Sequence, residues 1–144
     1  MIAVLVVCIG NICRSPMAEA LFNGSPSRIH ATSAGTSALI GEPADLIART
    51  LVEERGHDLS NHRARQINGL MCQQADIILV MDLGQLRHIE ATFPLSRGKI
   101  FRLAEAIKKD VPDPFRKGRT AFDNAFSLIE TGVRQWTERL EKIQ

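Results

Sequence analysis

Cysteine, glycine, asparagine and arginine crowd into one short run, Cys8-Ile9-Gly10-Asn11-Ile12-Cys13-Arg14-Ser15-Pro16. A thiolate at Cys8 is a strong nucleophile that also departs readily from phosphorus. Arg14 supplies a planar fork matched to two phosphate oxygens. Between them the backbone of Ile9, Gly10, Asn11, Ile12 and Cys13, continued by Arg14 and Ser15, can curl so that successive N–H groups face one centre. Such a cradle, opening into the positive end of a helix, binds anions and favours the thiolate form of Cys8. Nucleophile, anion cradle and guanidinium together describe a phosphoryl-transfer site.

A candidate acid lies far along the chain. Asp113 stands between Pro112 and Pro114, and a residue before proline is driven towards extended backbone. That stiffness suits a carboxyl held at fixed geometry over a pocket, although a solvated turn aspartate has the same signature. The neighbouring Arg116, Lys117 and Arg119 form either a solvated basic face or a rim that attracts acidic substrates. Cys8 and Cys13 with His57 and His62 have a superficial metal-ligand spacing. Zinc would consume the nucleophile, and the anion loop accounts better for the cysteines, so no metal is expected. Nucleotide-binding glycine motifs are absent, and nothing calls for a cofactor.

The elements that must position these groups alternate along the chain. Ile2 to Cys8 is a continuous apolar run, the pattern of a parallel strand covered on both faces. A helix is expected after Ser15, with Pro16 in its first turn, ending at Gly24-Ser25-Pro26-Ser27. A second strand is expected over 28–33 and a loop from Gly35 to Gly41. Pro43 is expected to open a helix that keeps Leu46, Ile47, Leu51 and Val52 on one face up to Gly56. A short helix over 68–74, a strand over 77–81, a helix over 83–93 and a short strand over 99–103 follow. Residues 120–143 read as a long helix with an inward stripe of Phe122, Phe126, Ile129, Val133, Trp136 and Leu140. Alternating strands and helices give an α/β sandwich with a parallel sheet, whose ligands bind beyond the carboxyl ends of strands. Cys8 stands at such an end.

At 144 residues the chain, 1–144, reads as a single domain with an adequate core. A net charge of +2 without a basic block argues against a nucleic-acid partner. Three cysteines do not make a disulfide framework, which points to a reducing, cytoplasmic setting. The apolar start lacks a basic leader and runs straight into the Gly-Asn loop, so it reads as a strand rather than a signal peptide. No stretch is long enough for membrane insertion.

The opening run resembles the low-molecular-weight protein tyrosine phosphatases, in the fuller form Val-Cys-x-Gly-Asn-x-Cys-Arg-Ser-Pro. The likeness continues through Thr32-Ser33-Ala34-Gly35-Thr36, His62-Arg63-Ala64-Arg65-Gln66, Asp76 to Asp82 and Pro112-Asp113-Pro114-Phe115. It implies a three-layer α/β sandwich of the phosphotyrosine phosphatase I-like type around a four-stranded parallel sheet. It also implies catalysis by Cys8, Arg14 and Asp113 through a phosphocysteine. Ser15, which can cap the helix, would stabilise the Cys8 thiolate, and Asn11 would bond to Ser33 and His62 to hold the loop. The alternative for Asn11 is mere turn chemistry at an exposed loop tip, since asparagine tolerates left-handed backbone.

The family's Asp-Pro-Tyr appears here as Asp113-Pro114-Phe115 in a chain with no tyrosine. An aromatic pocket wall survives that change, but control by phosphorylation of that tyrosine does not. Leu39 falls where eukaryotic members carry an aromatic residue. Bacterial members from capsule and exopolysaccharide clusters carry leucine there, which implies a bacterial tyrosine kinase of polysaccharide export as the phosphotyrosine substrate. The family also carries the Cys8–Cys13 pair. Cys13 is then either a redox partner for Cys8 or a packing residue beneath the loop. Two rivals remain. A thioredoxin-linked arsenate reductase on this fold needs two further cysteines after the third strand, and none follows Met81. An inactive phosphoprotein-binding module would need neither Cys8 nor Asp113.

Overall fold

The computed structural model describes residues 1–143. Strand β1 (Ile2–Cys8) is flanked on both sides, by β2 (Ile29–Gly35) and by β3 (Ile77–Val80), and β4 (Ile100–Arg102) pairs with β3. All pairings are parallel, in the order β2-β1-β3-β4. The central position of β1 explains its uninterrupted apolar sequence. Val4, Val6 and Cys8 face one core layer while Leu5 and Val7 face the other. Each fully buried side chain of this kind contributes about 1.5–3 kcal/mol over leaving it exposed.

Helices α1 (Arg14–Asn23), α2 (Leu46–Glu53) and α5 (Arg119–Glu141) cover the Cys8 face of the sheet, and α3 (Gly69–Gln74) and α4 (Leu83–Thr92) cover the other. The result is the three-layer α/β sandwich. The expected inward stripe of α5 is buried from Phe122 to Leu140, and Ala125 and Gly132 join it. At Gly132 an added Cβ would lie 2.6 Å from the Leu103 carbonyl oxygen, so this helix passes against the end of β4.

Element limits otherwise agree with expectation to within two residues, but α2 does not begin at Pro43 and ends at Glu53, short of Gly56. It starts three residues later, at Leu46, because Asp45 is the stronger cap and its carboxylate accepts from the Ile47 N–H at 2.8 Å. Asp45 is also held extended, its own N–H donating to the Ile12 carbonyl at 2.8 Å. Leu46 does not join the inward face. It is 72% exposed, and Ala48 packs inward with Leu51 and Val52 instead.

Candidate active site

The loop between β1 and α1 is fixed by its carbonyls. Those of Cys8, Ile9 and Gly10 accept from the N–H groups of Thr36, Ser37 and Leu39, each at 3.0 Å. The Asn11 carbonyl bonds to His62 Nε2 at 2.7 Å, that of Ile12 accepts from Asp45 N, and that of Cys13 from Met17 N. Every carbonyl from Cys8 to Cys13 therefore points outward to a partner. Among the described residues no acceptor is bound by the N–H groups of Ile9 through Ser15. A run of free N–H groups on the inner side of a loop whose carbonyls all face out is an anion site.

Behind the loop lies a polar network that fixes Cys8. Asn11 is fully buried and adopts φ 59°, left-handed backbone that asparagine tolerates better than most residues. The conformation fits a loop tip, but the exposure expected there is wrong, because the side chain turns inward. Its Oδ1 accepts from the Arg65 N–H at 2.9 Å, which sets the amide orientation and aims Nδ2 at Ser15 Oγ and Ser33 Oγ, at 2.8 and 2.9 Å. Ser15 Oγ lies 2.9 Å from Cys8 Sγ. Since Ser15 is buried and already accepts from Asn11, its hydroxyl hydrogen has the Cys8 sulfur as its partner. An unpaired buried donor would be costly. The network thus ends in a donor aimed at sulfur, the arrangement a thiolate requires.

Arg14 is buried, and one guanidinium nitrogen donates to the Val111 carbonyl at 2.8 Å. Val111 N–H in turn donates to the Met81 carbonyl at 2.8 Å, just beyond β3. These bonds tie the Asp113 segment to the anion loop. Asp113 Oδ1 stands 3.9 Å from Arg14 Nε and accepts from Phe115 N–H at 3.2 Å, with 43% of its side chain exposed. The carboxyl is anchored on one side and open on the other.

These groups enclose a cavity of about 200 Å³. Its walls include Cys8, Ile9, Gly10, Ile12, Cys13 and Arg14, with Leu39, Asp113 and Phe115 around the mouth. Asn11, Ser15, Ser33 and His62 stand behind the loop rather than in the cavity. Burial pushes the Cys13 thiol well above its ordinary range, with the Asp45 carboxylate adding to the effect. His57 is not part of this assembly. It lies beside Gly24 and in a separate hollow lined by Glu130 and Glu138 of α5.

Residues 3–144 match the model of the low molecular weight phosphotyrosine protein phosphatases. The chain belongs to that family. It is 46% identical over 140 residues to the probable low molecular weight protein-tyrosine-phosphatase EpsP of Ralstonia nicotianae, covering 97% of each chain. It is 37% identical over 142 residues to Wzb of Salmonella typhimurium, covering 98% of this chain and 95% of that one. Among solved structures, Vibrio vulnificus Wzb in complex with benzylphosphonate matches with a TM-score of 0.92 at 36% identity, covering 96% of this chain and 98% of the other.

Two members of the site of this phosphatase fold were not anticipated. Ser37 lines the cavity, and Arg65 closes the network through its N–H and through Nε, which donates to the Ser33 carbonyl at 2.9 Å. The N–H bond carries no residue signature, and the Nε bond depends on the fold bringing the Ser33 carbonyl within reach. The run His62-Arg63-Ala64-Arg65-Gln66, shared with the family, is the one hint.

Gly35 is equally bound to the loop. An added Cβ would run into the Ile9 carbonyl oxygen and stand 3.1 Å from both Asn11 N and Ala38 Cα. All three are backbone atoms that cannot swing aside. Gly35→Ala is therefore expected to displace the anion loop and lower kcat/KM by about 10²-fold, the scale of loss from an ångström of misplacement. Circular dichroism should still report the folded sheet. Undiminished kcat/KM would show that the loop accommodates the methyl group.

Proposed function

We propose that this chain hydrolyses phosphotyrosine in proteins, with Cys8 as nucleophile, Arg14 as phosphate clamp and Asp113 as general acid. One observation carries the reading: a buried donor network ends on Cys8 Sγ while the free N–H groups of one loop, Arg14 and Asp113 share a single cavity. Cys8 attacks phosphorus and the tyrosyl oxygen leaves with a proton from Asp113. Loop N–H groups of Ile9 to Ser15 and the Arg14 fork stabilise the equatorial oxygens as they gather charge. Asp113, now a carboxylate, takes a proton from the water that releases phosphate from Cys8. Leu39 and Phe115 flank the tyrosine ring, and Ser15, Asn11, Ser33 and His62 hold the loop in shape.

The rival arsenate reductase needs a cysteine relay near Cys8. The third cysteine, Cys72, is buried on α3 in the opposite core layer from Cys8. Hydrolysis of a phosphotyrosine peptide, run beside phosphoserine and phosphoarginine substrates and beside arsenate-dependent thioredoxin oxidation, separates the readings. Phosphate release from phosphotyrosine foremost is the expected result. Thioredoxin oxidation, or no turnover of any substrate, would overturn it.

The relatives named EpsP and Wzb, together with Leu39, support a finer assignment. The substrate we propose is a bacterial tyrosine autokinase of polysaccharide export, met in the cytoplasm by a one-domain enzyme. Among the described residues no helix is long and apolar enough to cross a membrane, and all three cysteines are free thiols.

The same reading gives Cys13 a protective role. It lines the cavity with Cys8 and burial keeps it protonated, so peroxide attacks Cys8 first and forms a sulfenic acid. The Cys13 thiol then displaces water to give a disulfide that dithiothreitol reverses. After peroxide and then dithiothreitol, wild type should regain activity and Cys13→Ser should not. Equal recovery would leave Cys13 as a packing residue.

A further inference from the structure

We propose that Arg116 recognises an acidic side chain next to the phosphorylated tyrosine, a specificity role that rests on the phosphotyrosine reading above. Residues 114–117 form a tight turn closed by the Lys117 N–H and the Pro114 carbonyl at 3.0 Å. Arg116 occupies its third position with φ 60°, left-handed backbone normally given to glycine or asparagine. Its guanidinium carbon lies 5.0 Å from the centroid of the Phe115 ring. That ring is a wall of the catalytic cavity, whereas Arg116 stands outside it and is exposed.

Arg119, three residues further along, and Arg102 are neutralised within the protein. Arg119 pairs with Glu54 and Asp123, and Arg102 pairs with Glu105 and Asp110. Among the described residues Arg116 has no carboxylate within ion-pair distance, and neither has Lys117. The ring face steadies the guanidinium without satisfying its N–H donors, which stay available to a carboxylate. Successive Cα atoms of a bound peptide are about 3.8 Å apart. With the phosphotyrosine ring against Phe115, the adjoining side chain therefore reaches the outer edge of that wall, where Arg116 stands.

The test uses matched phosphotyrosine peptides that carry Glu or Gln beside the tyrosine, on its amino or its carboxyl side. The readout is the ratio of kcat/KM for each Glu/Gln pair. Wild type should favour Glu on one side by about two- to five-fold, the range of a partly exposed ion pair, and less at high salt. Arg116→Asn, which keeps the left-handed turn, should bring the ratio to about one, Arg116→Lys should keep part of it, and Arg116→Glu should invert it. A ratio unchanged in Arg116→Asn, with both peptides slowed alike, would mean that Arg116 only steadies Phe115 and would overturn the inference. A wild-type ratio of one on both sides would overturn it too, leaving phosphotyrosine hydrolysis in place. Failure of wild type to hydrolyse any of the peptides would overturn the phosphotyrosine reading and this one with it.

Discussion

Cys8→Ser is expected to remove multiple turnover altogether while leaving the fold and phosphate binding in place. The hydrogen bonds that shape the anion loop run through carbonyls, Asn11, Ser15 or His62, and the one bond to sulfur, from Ser15, can pass to a serine hydroxyl. What changes is the nucleophile. A serine hydroxyl stays protonated unless a base takes its proton, and the group nearest to position 8 is Ser15, which is oriented to donate. His62 stands behind the loop and does not line the cavity, its Nε2 engaged with the Asn11 carbonyl. Phosphate binding by calorimetry should persist, and release from p-nitrophenyl phosphate should fall to background. One slow phosphorylation of the serine is compatible with this account, because a serine phosphate lacks the labile phosphorus–sulfur bond. Sustained turnover is not.

Asp113→Asn carries the second large effect, and its diagnostic feature is selectivity. An aryl oxide that leaves poorly needs the proton, so phosphotyrosine should lose roughly 10²–10⁴-fold in kcat when the acid is removed. A nitrophenolate leaves without help and should lose far less. The amide retains an oxygen that can accept the Phe115 N–H, so the turn that presents residue 113 should persist. Equal losses for the two substrates, with chemistry limiting in both, would assign the acid role to another residue.

Much of this site is legible from the chain alone, for reasons that differ between residues. Cys8 is visible because β1 is a sheet-centre strand, apolar on both faces, so a glycine–asparagine turn and an arginine at its carboxyl end stand out. Asp113 is visible through the prolines on either side. For Asn11 local context suggests only turn chemistry at an exposed tip, whereas the family resemblance sets it beside Ser33 and His62, where the structure has it. Turn chemistry predicts its φ, whereas its burial depends on β2 and the 62–66 segment closing over it. Arg65 gives no sign of its place in the network, because its N–H carries no residue signature and its Nε meets the Ser33 carbonyl only in the folded chain. The start of α2 differs from expectation for a related reason. Proline marks where a helix can begin, but the Asp45 cap and its bond to the Ile12 carbonyl decide where it does.

Direct detection of the covalent intermediate decides whether Cys8 is the nucleophile. Wild type and Asp113→Asn would be mixed with phosphotyrosine peptide, denatured within the first turnover, digested under conditions that preserve phosphocysteine, and mapped by mass spectrometry. One phosphoryl group is expected, on Cys8, appearing before free phosphate accumulates and lost on longer incubation. Phosphate released with no labelled protein at any time, or a label on Cys13 or Ser15 in its place, would contradict that role for Cys8.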